Sequence, residues 1–313
     1  MNYVTGLQFP VYSFVFTLKL TSTIEFRNFP GIAFRGAFGH TLKRLVCVLP
    51  GEKKYCDHCY MRFTCVYARV FESPGHGKDR MQKATHYPHP FTITPRIEYP
   101  AIYGRDARLT IHVSLLADGY EYLPYFLYTF QEMGRVGVGR KRGTFELEKV
   151  ELFGTGVEVY IAGSGFLREN IKPVLKEPWN ITSELQVEFV SPCKIKSNGS
   201  YLEKADFSEI IKSAARRYEN IGNLHGDGSV DIGRDRLLEK AIEIKKIEEN
   251  IQWNATVRYS KRQQRKMPME GFTGYARYTG DFTPFAEVLR FAELSNIGSN
   301  TTFGFGSIRL KFT

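Results

Sequence analysis

Two stretches of the chain, 161 positions apart, carry one pattern, and a chain that repeats itself at half its length is constrained to fold as two copies of one unit. Phe130-Gln-Glu-Met-Gly-Arg-Val-Gly137, continuing to Arg142-Gly143, matches Phe291-Ala-Glu-Leu-Ser-Asn-Ile-Gly298, continuing to Phe303-Gly304. Phe130 pairs with Phe291, Glu132 with Glu293, Met133 with Leu294, Val136 with Ile297, Gly137 with Gly298, Gly143 with Gly304 and Leu147 with Ile308. Each copy reads as a short helix, a glycine-rich loop and a strand, and such a loop brings backbone N–H groups close to phosphates. Half of 313 residues is the size of one compact domain, so we expect two, over 1–165 and 176–313.

Periodicity fills in the units. Tyr12, Phe14, Phe16, Leu18 and Leu20 alternate as a strand with one buried face. Phe34, Phe38, Leu42 and Leu45 fall at helical spacing after the Pro30-Gly31 turn. Strands over 91–98 and 109–116, a helix over 126–133 and a strand over 144–152 make the first half βαββαβ. The second half repeats that order: strand 184–190, helix 207–221, strands 250–259 and 272–279, helix 284–294 and strand 306–312. The expected class is α+β, two tandem ferredoxin-like domains with a cysteine-containing insertion (47–72) in the first. Residues 237–250 read as an extra helix or lead-in.

The formal charge is +10 and the sequence pI about 9.3, which favours a polyanionic partner, nucleic acid before any other. The charge is clustered over 135–142 and 258–266, beside the first glycine loop and on the strand that leads to the second. No window approaches the roughly 20 apolar residues of a membrane helix, so no membrane partner is expected. The start, Met1-Asn-Tyr-Val-Thr-Gly, lacks the basic-then-apolar pattern of a signal peptide, and the expected location is the cytoplasm.

Cys47, Cys56, Cys59 and Cys65 match the ligand count of a structural zinc site, although a second Cys-x-x-Cys knuckle is missing. An iron–sulfur cluster or four reduced thiols are the alternatives, and Cys193 stands alone. His40 belongs to the side-chain class suited to proton transfer near neutral pH and lies among Arg35, Lys43 and Arg44, the last two a helical turn away, a phosphate-friendly surface on which Arg35 and Arg44 are RNA-binding candidates. A solvated or packed histidine is the plainer reading of the same residue. Arg135, Arg140, Lys141 and Arg142 make the first glycine loop an electrostatic clamp, whereas Gly298, Ser299, Asn300, Gly304 and Gly306 would hold phosphates through amides and hydroxyls or simply cap a helix. Arg258 and Arg262 lie on or just past a strand as a candidate phosphate track.

Several of these runs resemble one family. The helix from Phe34 through Gly39-His-Thr-Leu-Lys43 to Cys47, the run Cys56-Asp-His-Cys59, the strand Arg258-Tyr-Ser-Lys-Arg-Gln263 and the loop Ile297-Gly-Ser-Asn-Thr-Thr-Phe-Gly-Phe-Gly306 look like the endoribonuclease that processes CRISPR precursor RNA, in the repeat-associated mysterious protein superfamily. The resemblance implies a protein that binds repeat RNA and cuts it without a metal cofactor, the 2′-hydroxyl attacking the phosphate to leave a 2′,3′-cyclic product. It implies a histidine on or after the first helix, with a lysine or tyrosine in support; the matching positions are His40 and Lys43. His225, in the loop before Gly226, is a second candidate. A non-catalytic relative that holds guide RNA in an interference complex is the alternative, and CRISPR effector proteins are the expected protein partners, the chain itself being a monomer or homodimer. A tandem RNA-recognition-motif protein fits less well, because no strand with the stacking aromatics of that motif is evident.

Overall fold

Alternation and helical spacing produce the elements they predict, in a computed structural model that describes residues 7–49, 56–74, 87–166, 171–173, 180–197, 199–260 and 265–313. The first half comprises β1 (Val11–Leu20), β2 (Ile24–Phe26), α1 (Pro30–Val46), β3 (Phe91–Pro95), β4 (Ala101–Tyr103), β5 (Arg108–Leu116), α2 (Leu123–Val136), β6 (Phe145–Leu152), β7 (Val157–Ile161) and β8 (Gly165–Phe166). The second comprises β9 (Glu184–Cys193), β10 (Lys196–Ser197), β11 (Ser200–Tyr201), α3 (Phe207–His225), α4 (Arg234–Glu243), β12 (Lys245–Ser260), β13 (Arg265–Thr279), α5 (Ala286–Ser295) and β14 (Ile308–Phe312).

The first sheet is ordered β3-β5-β1-β6-β7-β8 and the second β12-β13-β9-β14, with antiparallel pairing throughout. Without the added strands β7 and β8, both orders place the opening strand between the third and fourth, the ferredoxin-like arrangement, twice. The cysteines fall between α1 and β3.

Two differences from the expected boundaries have physical causes. β13 pairs with β9 only from Phe272 onward, so 265–271 and its partners on β12 form a free two-stranded ribbon. Without a third strand beside it, 265–271 has no strict hydrophobic alternation, and the sequence reads β13 only from 272, whereas on β12 it reads 250–259 and misses the start at 245. The stretch 237–250 divides into most of α4 and the start of β12.

The first sheet is covered on both faces, where alternation predicted one. Phe14, Phe16, Leu18 and Leu20 pack against α1 and α2, while Val11, Ser13 and Thr17 on the opposite face are buried too. The second half supplies that cover: Leu7, Phe9, Val11 and Leu116 form one cluster with Tyr218, Ile221, Phe291 and Leu294. Buried polar groups are matched across the join, Ser114 Oγ donating to the Leu294 carbonyl at 2.5 Å and Asn296 Nδ2 to Thr94 Oγ1 at 3.0 Å.

A second joint lies at the start of α1, where Phe29 packs with Met269, Phe303 and Phe305. Gly31 makes that approach possible, since a Cβ there would stand 1.8 Å from the Phe303 carbonyl oxygen. Gly31→Ala is therefore expected to destabilise the protein by about 1–3 kcal/mol, the usual cost of forcing extra volume into a packed joint. Urea unfolding measures it, and an unchanged midpoint would show that the joint yields freely.

Candidate active site and nucleic-acid interface

The buried side of α1 is set by Phe34, Phe38 and Leu42, which leaves Gly36, His40 and Arg44 as an exposed stripe at four-residue spacing. Pro30 at the first turn presets the helix start. A Cβ at Gly36 would meet nothing within 4 Å, so open space adjoins the imidazole one turn away. Arg44 lies 3.8 Å from Glu132 on α2, and Arg135 binds the same carboxylate. One negative charge thus serves two cations, and a net positive charge remains beside the stripe.

Lys43 and Arg35 have aromatic partners within the protein. The Lys43 ammonium stands 5.2 Å from the centre of the Tyr67 ring and lines the cysteine cavity together with Cys56. Tyr67 donates to Glu72 at 3.1 Å, and burial, reinforced by that carboxylate, raises its phenol far above the ordinary tyrosine range, so it is a poor proton donor. The Arg35 guanidinium is sandwiched between Phe71 at 3.8 Å and Phe303 at 4.7 Å, a cation–π bridge from the insertion through α1 to the second half. The sequence alone puts Arg35 on a phosphate-facing surface with His40. The aromatic partners come from segments far apart in the chain, and so could not be seen there.

The first glycine loop closes by two hydrogen bonds between Val138 and Gly143, 2.9 and 3.0 Å, and carries Arg140, Lys141 and Arg142 on its exposed tip. Lys141 lies 3.5 Å from Glu25, whose carboxyl is held below its usual range chiefly by the hydrogen bond from Arg27. Arg140 and Arg142 have no acidic partner among the described residues. They are the free cations of this surface. Arg258 and residues 259 and 260 of β12 have a described backbone only, and Arg262 lies outside the described residues.

The second glycine loop is mostly internal. The amides of Ser299, Gly304 and Gly306 donate to the carbonyls of Lys194, Thr301 and Pro192 at 2.8–2.9 Å. Gly304 packs where a Cβ would stand 2.7 Å from the Ile93 carbonyl oxygen, and Gly306 where it would stand 1.8 Å from that of Ile297. Gly304 shapes the brace between the halves, whereas Gly306 closes the loop on Ile297 and β9 within the second half. Gly298, Ser299 and Asn300 form its solvent-facing part.

His225 is a joint as well. Its Nε2 donates to the Pro88 carbonyl at 2.7 Å and its Nδ1 stands 3.3 Å from Asp118, with a side chain only 9% exposed. The nearly buried ring is held between the halves through Nε2, which leaves it poorly placed to reach an RNA hydroxyl. That argues against the second catalytic candidate.

Cys47, Cys56, Cys59 and Cys65 are free thiols on the wall of one cavity of about 390 Å³. Burial raises the Cys56 thiol, with Lys43 opposing. No group of three or more His, Cys, Asp or Glu side chains among the described residues converges closely enough to hold a metal, so the expected zinc site finds no support in this arrangement. The spacing predicted their neighbourhood. The wide, apolar cavity between them was invisible in sequence.

No helix among the described residues is long and apolar enough to cross a membrane. Residues 9–172 match the AF_1859_N family, described as an N-terminal domain, and residues 187–308 match the CRISPR-associated endoribonuclease Cas6 family. A protein of Archaeoglobus fulgidus described as uncharacterized is 25% identical over 313 residues, spanning 95% of this chain and 99% of the relative. Thermus thermophilus Cas6 is similar in structure, with a TM-score of 0.55 at 16% identity over 98% of this chain and all of the other. A Cas6 product complex has a TM-score of 0.58 at 16% identity, over 96% of this chain and all of the other. A partial Cas6-RT-Cas1–Cas2 complex has a TM-score of 0.57 at 14% identity, over 99% of this chain and 47% of the other.

Proposed function

The chain belongs to the AF_1859_N family through residues 9–172 and is a CRISPR-associated endoribonuclease of the Cas6 type through residues 187–308, a processor of repeat RNA, and from that premise we propose that it cuts precursor transcripts without a metal cofactor. The 2′-hydroxyl oxygen attacks the adjacent phosphorus and the bond from phosphorus to the 5′-oxygen breaks. One proton leaves the 2′-hydroxyl and one reaches the departing 5′-oxygen. The products are a 2′,3′-cyclic phosphate and a 5′-hydroxyl.

The observation that carries this reading is the exposed stripe of α1, where His40 faces solvent between the open floor at Gly36 and the cation of Arg44. In that place the imidazole moves the protons, and Arg44 offsets charge developing on the phosphate. Lys43, half-buried one turn from His40, acts through its positive charge. The solvent-facing Gly298-Ser299-Asn300 segment and the Arg140–Arg142 tip position the strand. The likeness to the Cas6-RT-Cas1–Cas2 complex supports association with other CRISPR proteins.

The test incubates 5′-labelled repeat RNA with the protein in EDTA. Cleavage persisting in EDTA and ending in a cyclic phosphate is the expected result, and loss of cleavage on chelation that magnesium restores would overturn the metal-free mechanism. The charge-bearing loop makes its own prediction. Arg140→Ala and Arg142→Ala should each lower the slope of log affinity against log salt by roughly 0.7–0.9, since each removes one phosphate contact. Fluorescence anisotropy across a salt series reads it, and two unchanged slopes would remove this loop from the interface.

A further inference from the structure

At the edge of the second sheet, the β10–β11 hairpin and β12 enclose an open cavity of about 760 Å³ lined by Ser200, Tyr201, Glu203, Ile251, Trp253 and Phe272. Its volume is within the roughly 300–1,000 Å³ of small-ligand sites. Tyr201 is 45% exposed and Trp253 42% exposed, each on its own strand. Large aromatic rings left in solvent on two walls of one cavity forgo the burial that would stabilise the fold.

Both rings are supported from behind. The Lys194 ammonium lies 3.9 Å from the centre of the Tyr201 ring and 2.7 Å from Glu270, with a side chain only 6% exposed. A buried, ion-paired cation therefore fixes the inner face of that ring and leaves the outer face to a ligand. Trp253 stands opposite Phe272 in the β12–β13 register, and Phe272 is buried and forms the floor. Glu203 is exposed at the rim and offers acceptors for ring N–H or exocyclic amino groups, while Lys196 is exposed on the neighbouring strand. Lys194 also ties this region to the glycine loop, its carbonyl accepting the Ser299 amide.

We propose that Tyr201 and Trp253 form a stacking site for an unpaired nucleobase of the bound RNA. A flat π-system with polar edges fits two exposed rings and a carboxylate rim, and a negatively charged backbone fits the chain's excess of positive charge. An apolar ligand would leave Glu203 unanswered. The inference rests on the RNA-processing reading and adds to it a place where single-stranded nucleotides are held away from the stripe of His40.

The test titrates octa-adenylate into the full chain and follows tryptophan fluorescence and anisotropy. Quenching is expected in the wild type and not in Trp253→Phe, which keeps a ring and should bind within about threefold of the wild type. Trp253→Leu, apolar but unable to stack, and Tyr201→Leu should each weaken binding about 10-fold, the effect of losing one stacked base. An oligonucleotide of equal length with abasic sites should bind the wild type as weakly as octa-adenylate binds Trp253→Leu. Two leucine variants that bind octa-adenylate within twofold of the wild type would overturn the proposal, and so would equal binding of the abasic strand. Cleavage of labelled repeat RNA by the same preparations separates the two readings. Wild-type cleavage with unaffected leucine variants removes only the stacking site, whereas the expected binding losses without any cleavage remove the catalytic mechanism and leave the stacking site standing.

Discussion

His40→Ala is expected to lower the rate of RNA cleavage by about 10²–10⁴-fold, the usual contribution of a positioned proton-transfer group, while repeat RNA remains bound. The side chain is exposed on α1, so its removal leaves the core intact and should change folding stability by less than about 0.5 kcal/mol. Rate and stability are thus separable. Single-turnover cleavage and urea unfolding of one preparation measure both. Arg44→Ala gives the comparison: it removes a cation from the stripe and also frees Glu132 from one of its two partners, so it should weaken binding as well as rate. A His40→Ala protein that cleaves at the normal rate would take the proton transfer off this histidine, and His225, held at the joint through its Nε2, is not placed to replace it.

Phe38→Ala should destabilise the protein by about 3–5 kcal/mol. Phe38 is completely buried and stands at the centre of an aromatic cluster, with ring centroids 4.6 Å from Phe126, 5.7 Å from Phe91, 6.0 Å from Phe130 and 6.4 Å from Phe71. Those partners come from α2, β3 and the segment after the cysteines, so the cavity left by truncation cannot be filled by one rotamer change. Its position two residues before His40 on the opposite side of α1 makes it the anchor of the exposed stripe. Cleavage should therefore fall well before global unfolding on a denaturant titration of the variant. Phe38→Leu, which retains most of the volume, should cost appreciably less. A loss below about 1 kcal/mol in Phe38→Ala would show that the helix is held from elsewhere.

Much of the architecture is legible in local chemistry. The alternation of Phe14, Phe16 and Leu18, the helical spacing of Phe34, Phe38 and Leu42, and the recurrence of the helix–loop–strand unit at an offset of 161 all lie within a few residues or repeat at a fixed distance. β7 and β8 escaped because they are short strands added at a sheet edge after the repeated unit is complete. The first half of β13 escaped because it packs on no third strand.

The candidate site divides along the same line. His40 and Arg44 share a face through helical spacing alone, and the cationic tip at Arg140–Arg142 follows from three consecutive basic residues. The fates of Arg35 and His225 depended on partners remote in sequence, Phe303 for the first and Pro88 and Asp118 for the second. The spacing of Cys47, Cys56, Cys59 and Cys65 put them in one loop region, but the distance across the apolar cavity is a matter of how that region packs on α1 and Tyr125.

The sequence by itself determined a duplicated α+β chain with a polyanionic partner and a histidine-bearing helix, because periodicity, repeat offset and charge are properties of the order of residues. Only the tertiary structure decided that one glycine loop presents cations to solvent while the other is largely consumed in joining the halves. The reason is physical: two loops of similar local form differ in what approaches them, and Gly31, Ile93 and Lys194 come to the second from three distant parts of the chain.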